Sequence, residues 1–209
     1  MFRPSRAPIT FAILAVITIV FVFELLNGAL TDERVLVGMG AIIPDSIERG
    51  QSWRLLAAMF LHASWLHWAL NCFALLQLGT LYETMFGSFR FTVIYFATGL
   101  IASAASSQFS HANSVGASGA IFGILGAFIF SIRRSPQWRH QPWTKGLLNQ
   151  LIFWAVVNIG ISFSVKFIDK TAHLAGLFSG LLLGLVLRHR VQQPPPPSER
   201  VVDVMPYDD

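Results

Sequence analysis

Charge is scarce in this sequence. Asp, Glu, Lys and Arg make up 12% of its 209 residues, against about 25% in a soluble domain, which is too little to cover a water-facing surface. Cysteine is nearly absent: Cys72 stands alone, which excludes a disulfide scaffold and leaves that residue as packing filler. The low hydrophobicity of a disordered chain is missing too, since 54% of the residues are hydrophobic and the mean hydropathy is +0.56. A net charge of +4 and a pI near 9.7 would suit nucleic acid. The Lys and Arg residues, however, fall in short clusters between apolar runs, with no basic stripe interleaved with aromatics, so no nucleic-acid partner is expected. What remains is an integral membrane protein whose first partner is the lipid bilayer.

A helix that crosses a bilayer needs about 20 mostly apolar residues at about 1.5 Å rise each. Residues 9–26, 55–78, 89–109, 117–132, 147–168 and 171–187 qualify, which predicts an all-α polytopic bundle of six transmembrane helices. No small-residue cleavage site closes the first run, and it exceeds the usual ~7–15 residues of a secretory signal, so it reads as a retained anchor. The fourth run is short and glycine-rich, as suits a span enclosed by others. Placing the N-terminus inside puts ten basic residues in the cytoplasm: Arg3, Arg6, Arg90, Arg133, Arg134, Arg139, Lys145, Arg188, Arg190 and Arg200. Five stay outside, namely Arg34, Arg49, Arg54, Lys166 and Lys170, in agreement with the positive-inside rule. Residues 27–54 form the one long external connection, with Trp53 at an interfacial depth. The predicted organisation is a cytoplasmic N-terminus over 1–8, a six-helix domain over 9–188 and a disordered cytoplasmic tail over 189–209 that carries a four-proline run.

Polar groups inside a span are costly and point to function by default. Here they are His62, His67 and Asn71 in the second span, Gly116-Ala117-Ser118-Gly119 opening the fourth, and His173 near the start of the sixth. These three spans share one direction, outside to inside, so the outer leaflet collects them all. In the sixth span His173, Gly176, Gly180 and Gly184 are separated by 3, 4 and 4 residues and form one narrow face. Gly119, Gly123 and Gly126 form a second stripe in the fourth. Small residues four apart let membrane helices approach backbone to backbone; if the stripes meet, Ser118 and His173 arrive at similar depth. His67 and Asn71 share a face as i,i+4 neighbours, whereas His62 lies about 140° around from His67 and is assigned to supporting the loop. Each residue has a bland reading: glycines pack, a helical serine bonds back to its own carbonyls, a buried histidine is a structural donor. Their joint placement at one depth favours chemistry.

A serine hydroxyl becomes a nucleophile when a neighbouring base takes its proton, and a neutral imidazole both accepts and later returns one. Acyl transfer also needs donors aimed at the developing oxyanion. Asn71 offers its amide, His67 a ring N–H, and Ser118 its own backbone N–H in the first turn of a helix, where amides lack intrahelical partners. The roles of a minimal serine hydrolase are thereby filled, with water as co-reactant from a cavity open to the outside. A metal site is not expected, because His62-x4-His67 lacks the same-face spacing and intervening Glu of a metalloprotease helix. A small transporter would carry polar groups through to the cytoplasmic side or show inverted repeats, and the even spans turn apolar after their outer halves.

The set resembles the rhomboid family of intramembrane serine proteases. The family's motifs are matched by Trp53-Arg54 in the first external loop, His62-x4-His67-x3-Asn71, Gly116-Ala117-Ser118-Gly119, and Ala172-His173-Leu174-Ala175-Gly176-x3-Gly180. Tyr82-Glu83 with Gly87 is similar to the family's short internal connection. The resemblance implies Ser118 as nucleophile and His173 as general base in a dyad, with His67, Asn71 and the Ser118 amide as oxyanion hole. Arg54 and His62 would hold the first loop, and the fifth and sixth spans with the connection 162–170 would form a gate for substrate. The implied substrates are single-span membrane proteins cut near the outer face, with no metal or organic cofactor. The implied location is a bacterial inner (plasma) membrane, both termini cytoplasmic and the site open to the outer face. Three readings stay open: Asp169, four residues before His173, as a third catalytic residue or a solvated loop charge; Phe122, where many relatives carry tyrosine, as a stacking ring without a hydroxyl; and a non-catalytic relative that binds membrane clients. Oligomeric state is not legible.

Overall fold

The structure, a computed structural model, describes residues 7–110, 112–165 and 168–187. The predicted tail over 189–209, most of the N-terminal segment over 1–8, and Arg3, Arg6, Lys166, Arg188, Arg190 and Arg200 lie outside the described residues. The helices are α1 (Pro8–Leu26), α2 (Glu33–Met39), α3 (Arg54–Ala57), α4 (Trp65–Ala74), α5 (Thr80–Phe86), α6 (Ser88–Phe109), α7 (Ser118–Arg134), α8 (Thr144–Ser164) and α9 (Lys170–Val186). Among the described residues there is no strand; Ile42 and Ser114 form an isolated antiparallel bridge. The fold is an all-α membrane bundle. By length and composition α1, α6 and α8 are each able to cross a bilayer, and a bent pair around residues 61–64 supplies a fourth such segment.

The bend corrects the predicted second span. Residues 55–78 read as one apolar run, but α3 and a 3₁₀ turn at Ala58–Phe60 make an angle of 91° with the rod Trp65–Phe86. Ser64 is the reason: its Oγ accepts the His67 N–H at 3.2 Å, and an N-cap of this kind sets a helix start. Upstream, Leu61 is extended, with φ −86° and ψ 151°. His62 therefore sits on the connection and not on the helix, so its angular offset from His67 has no helical meaning. The rod includes a π turn at Leu75–Gly79 and runs on through α5. Tyr82 and Glu83 are buried in α5, not in a connection; the turn falls at Gly87, whose φ of +89° suits glycine.

Glu83 has a different task. Its carboxylate accepts the N–H groups of Ile9 (3.0 Å) and Thr10 (2.8 Å), together with the hydroxyls of Thr10 (2.7 Å) and Ser88 (2.6 Å). The first turn of α1 has free amides and no side-chain cap of its own, and an anion from another helix satisfies them.

The centre of the bundle is α7, with 12 of its 17 residues buried. At ~1.5 Å per residue it is shorter than a bilayer core is thick, and its neighbours shield it. Glycines set its spacing from both. A methyl group placed on Gly176, Gly180 or Gly184 would meet the backbone carbonyl oxygens of Gly119, Gly123 and Ala127 respectively. The offset is 57 residues in each pair (176 − 119, 180 − 123, 184 − 127), so α7 and α9 run parallel in fixed register. The α7 glycines at 119 and 123 present their Cα hydrogens to Ala102 and Thr98 of α6 instead, while Gly126 faces α9 at Leu177 and Leu181. Three helices thus share one seam. In contrast, α8 is peripheral: it buries Thr144, Leu151, Ala155 and Ser162, a single line at steps of 7, 4 and 7.

Candidate active site

Parallel register brings the first turns of α7 and α9 side by side. Ser118 is the first residue of α7 and His173 the fourth of α9; His173 Nε2 lies 2.8 Å from Ser118 Oγ. Phe122, one turn below Ser118, stacks on the imidazole with ring centroids 4.3 Å apart and planes at 24°. On the ring's other nitrogen, Nδ1 lies 2.7 Å from the Ser162 hydroxyl of α8. Ser162 went unnoticed in the sequence.

Ser118 is held from the loop side. Gly116 takes φ +121°, a left-handed conformation that favours glycine, and its N–H donates to the Ala58 carbonyl at 2.8 Å. Two residues back, Ser114 and Ile42 exchange backbone bonds of 2.9 Å each. The 3₁₀ turn before the bend and the loop after α2 therefore both brace the strand-like approach to the serine. A Cβ on Gly116 would lie 2.7 Å from His67 Nε2 and 3.8 Å from Ser118 Oγ. The His67 ring edge, Gly116 and the Ser118 hydroxyl consequently surround one small space. Asn71 is buried, and its amide donates to the His67 carbonyl at 2.8 Å, which leaves its second N–H. The Ser118 N–H belongs to the first turn of α7, where amides have no intrahelical acceptor. A cavity lined in part by Ser103, Ser114, Gly116, Ser118 and Ala172 adjoins the group.

Arg54 bonds to the external loop, whereas His62, expected to support it, contacts α1 and His67 instead. His62 is fully buried; its N–H donates to Glu24 Oε1 of α1 at 2.8 Å, and its ring stands 5.1 Å from that of His67. Arg54, 7% exposed, donates from Nη1 to the carbonyls of Val37 (2.5 Å) and Ala41 (2.9 Å) and from Nε to Gln51 (2.7 Å). Those carbonyls lie in the last turn of α2 and just beyond its Gly40 cap. Trp53 stacks under the Arg54 guanidinium at 4.7 Å and covers Gly40, where a Cβ would lie 2.7 Å from the indole.

Asp169 is not bonded to His173 through its side chain. One oxygen caps α9 by accepting the Ala172 N–H at 3.0 Å, and the other accepts the Ser106 hydroxyl of α6. It is therefore neither a solvated loop charge nor the imidazole's partner, a place that Ser162 takes. Ser162 lies within α8 and not in the predicted connection 162–170.

Comparison with known proteins bears on the same core. A family model described as the Rhomboid domain matches residues 49–190. Rhomboid protease GluP of Bacillus subtilis (strain 168) is 35% identical over 187 residues, covering 90% of this chain and 36% of that protein. Rhomboid-like protease 1 of Toxoplasma gondii is 29% identical over 194 residues, with 88% of this chain and 66% of the relative covered. RHOMBOID-like protein 5 of Arabidopsis thaliana is 33% identical over 157 residues, or 74% and 50%. The chain thus spans between about a third and two thirds of the length of these relatives. The matched region includes the bent second segment, the α7–α9 seam and both members of the Ser118–His173 pair, and on that match the chain belongs to the rhomboid family.

Proposed function

We propose that this protein is an intramembrane serine endopeptidase that hydrolyses peptide bonds in or near the transmembrane segments of single-span membrane proteins. The observation that carries the reading is the 2.8 Å approach of His173 Nε2 to Ser118 Oγ at the head of two parallel helices. His173 takes the hydroxyl proton as Ser118 attacks the scissile carbonyl, then delivers it to the leaving amine; water, activated by the same nitrogen, releases the acyl group. The oxyanion is met by the Ser118 amide, the His67 ring and the second N–H of Asn71. The space kept open by Gly116 receives it, since a side chain there would touch both His67 and Ser118. Hydroxyls of Ser103 and Ser114 along the adjoining cavity suit water, the second substrate.

The catalytic unit proposed is the six-helix domain over 9–188, flanked by cytoplasmic segments over 1–8 and 189–209. It sits in a bacterial inner membrane with the site open to the outer face, an orientation supported by the excess of basic residues on the side opposite Ser118. Co-expression with a panel of single-span reporter proteins tests the proposal. Cleavage products are expected with the unaltered chain and absent with Ser118→Ala and His173→Ala, and Ser118 is expected to react with a fluorophosphonate. Cleavage that survives both substitutions removes the serine mechanism. A chain that neither cleaves nor labels is a client-binding relative.

A further inference from the structure

Ser162 bonds in two directions. Its Oγ lies 2.7 Å from the Asn158 carbonyl oxygen, one turn earlier in α8, and 2.7 Å from His173 Nδ1. A hydroxyl has one proton and two lone pairs, and a carbonyl oxygen only accepts. The Ser162 proton therefore goes to Asn158, and the lone pairs left over face the imidazole. For that contact to be a hydrogen bond, Nδ1 must carry a proton. In the neutral ring Nε2 is then bare, and Nε2 is the nitrogen that meets Ser118.

We infer that Ser162 is a positioning residue: it selects the Nδ1–H tautomer of His173 and thereby leaves Nε2 free to accept the Ser118 proton. The tautomer of a histidine follows from what its other nitrogen bonds to, and here that group is an uncharged hydroxyl. The assignment also explains a polar residue at this place. The other positions at which α8 buries itself lie in one line with Ser162, which is 3% exposed and ends the line beside the site. An alanine would continue the apolar pair Leu151 and Ala155 that precedes it in the line; the hydroxyl instead satisfies its own helix and the imidazole. Since α8 otherwise presents Phe153, Trp154, Val156 and Phe163 outward, the hydroxyl reaches His173 only while this peripheral helix stays against α9. Readiness of the base is thus linked to the position of α8.

The kinetic part of this inference rests on the protease reading, so its test has a part that does not. Ser162→Ala and Ser162→Thr are compared with the unaltered full chain in lipid nanodiscs. The ¹⁵N spectrum of labelled histidine is recorded, with His173 identified by its disappearance in His173→Ala. In the unaltered chain and in Ser162→Thr the His173 signals should show a protonated Nδ1 and a bare Nε2, and Ser162→Ala should shift them toward the other tautomer. In cleavage assays Ser162→Ala should lower kcat by about 10- to 100-fold, the scale known for hydrogen-bond partners of metal-bound histidines. That is below the loss when an amide enforces the wrong tautomer, because alanine only removes the preference. KM should be unchanged and Ser162→Thr should restore the rate. A protonated Nε2 in the unaltered chain overturns the inference, as does a Ser162→Ala protein with unchanged tautomer and kcat. If no variant cleaves, the protease reading falls while the spectrum alone still decides the role of Ser162.

Discussion

The carbonyl oxygen of Gly119 occupies the volume that a methyl group on Gly176 would need. Backbone, not a side chain, fills the missing Cβ, so nothing nearby is able to rotate away. The same holds for Gly180 against Gly123 and for Gly184 against Ala127. The seam under the Ser118–His173 pair is consequently set by main-chain contact, the tightest spacing two helices adopt.

Even a single carbon should be felt there. Gly180→Ala is expected to destabilise the protein by about 1–3 kcal/mol, the usual cost of overpacking, and Gly180→Leu by more. Activity should fall further than stability, because a displacement of roughly 1 Å at the reacting atoms costs about 100-fold in rate. Gly38, within α2 and with open space around its Cα, is the control: Gly38→Ala should leave activity unchanged and stability unchanged or raised by up to about 1 kcal/mol. Thermal unfolding in detergent, paired with reporter cleavage, checks both. Unchanged turnover in an inserted Gly180→Leu protein would contradict the main-chain spacing argument.

Phe122 makes a second case. Its ring lies 4.3 Å from the His173 ring, nearly parallel, so the imidazole is held by a stack that needs no hydroxyl. Phe122→Tyr is expected to keep activity within about tenfold, since one added neutral hydrogen bond is worth ~0.5–1.5 kcal/mol at most. Phe122→Ala should lose much of it, because the stack (~0.5–1.5 kcal/mol) goes together with the ring's packing. The comparison is of kcat against one reporter. A large gain on introducing tyrosine would show that the hydroxyl matters after all.

These contacts also show what hydropathy and spacing are able to carry. The close parallel approach of α9 to α7 was legible because glycine recurs at helical intervals and because alternate spans must run in the same direction. The register was not, and Gly119 and Gly123 turn toward α6 and not toward the α9 glycines. Nor was the break before Trp65, since residues 55–78 are apolar throughout and the stop rests on one capping hydroxyl, Ser64. Ser162 was hidden for a related reason: like most helical serines it bonds back to a carbonyl one turn earlier, and that bond masks the second one to His173. Tyr82 and Glu83 were assigned to a connection by the family resemblance alone, whereas the carboxylate is drawn inward by the free amides of α1.

The carboxylate of Glu83 accepts from four donors on α1 and at the start of α6. Glu83→Gln removes the charge and leaves one acceptor oxygen for that set, and hydrogen bonds to charged groups are worth about 1.5–3 kcal/mol each in net terms. The expected result is a drop in thermal unfolding temperature, without loss of fluorophosphonate labelling at Ser118 below the transition. Stability equal to that of the unaltered protein would mean that the α1 amides find other acceptors.

Asp169 separates two accounts of His173. As a third member of a catalytic triad, its conversion to asparagine should cost on the order of 10⁴ in kcat, the effect of leaving the histidine in the wrong tautomer. As a helix cap it should tolerate that change, because asparagine and aspartate cap about equally well. The bonds favour the cap: the carboxylate is spent on the Ala172 N–H and the Ser106 hydroxyl, and His173 Nδ1 already has Ser162. Asp169→Asn should therefore keep most of its activity, while Asp169→Ala should lose about 1 kcal/mol of stability for the cap and a further ~1–3 kcal/mol for the buried Ser106 hydroxyl left without its acceptor. Steady-state kinetics and thermal unfolding on the two variants distinguish the accounts. A collapse of kcat in Asp169→Asn, with stability intact, would return the third catalytic role to the aspartate and leave Ser162 as a spectator.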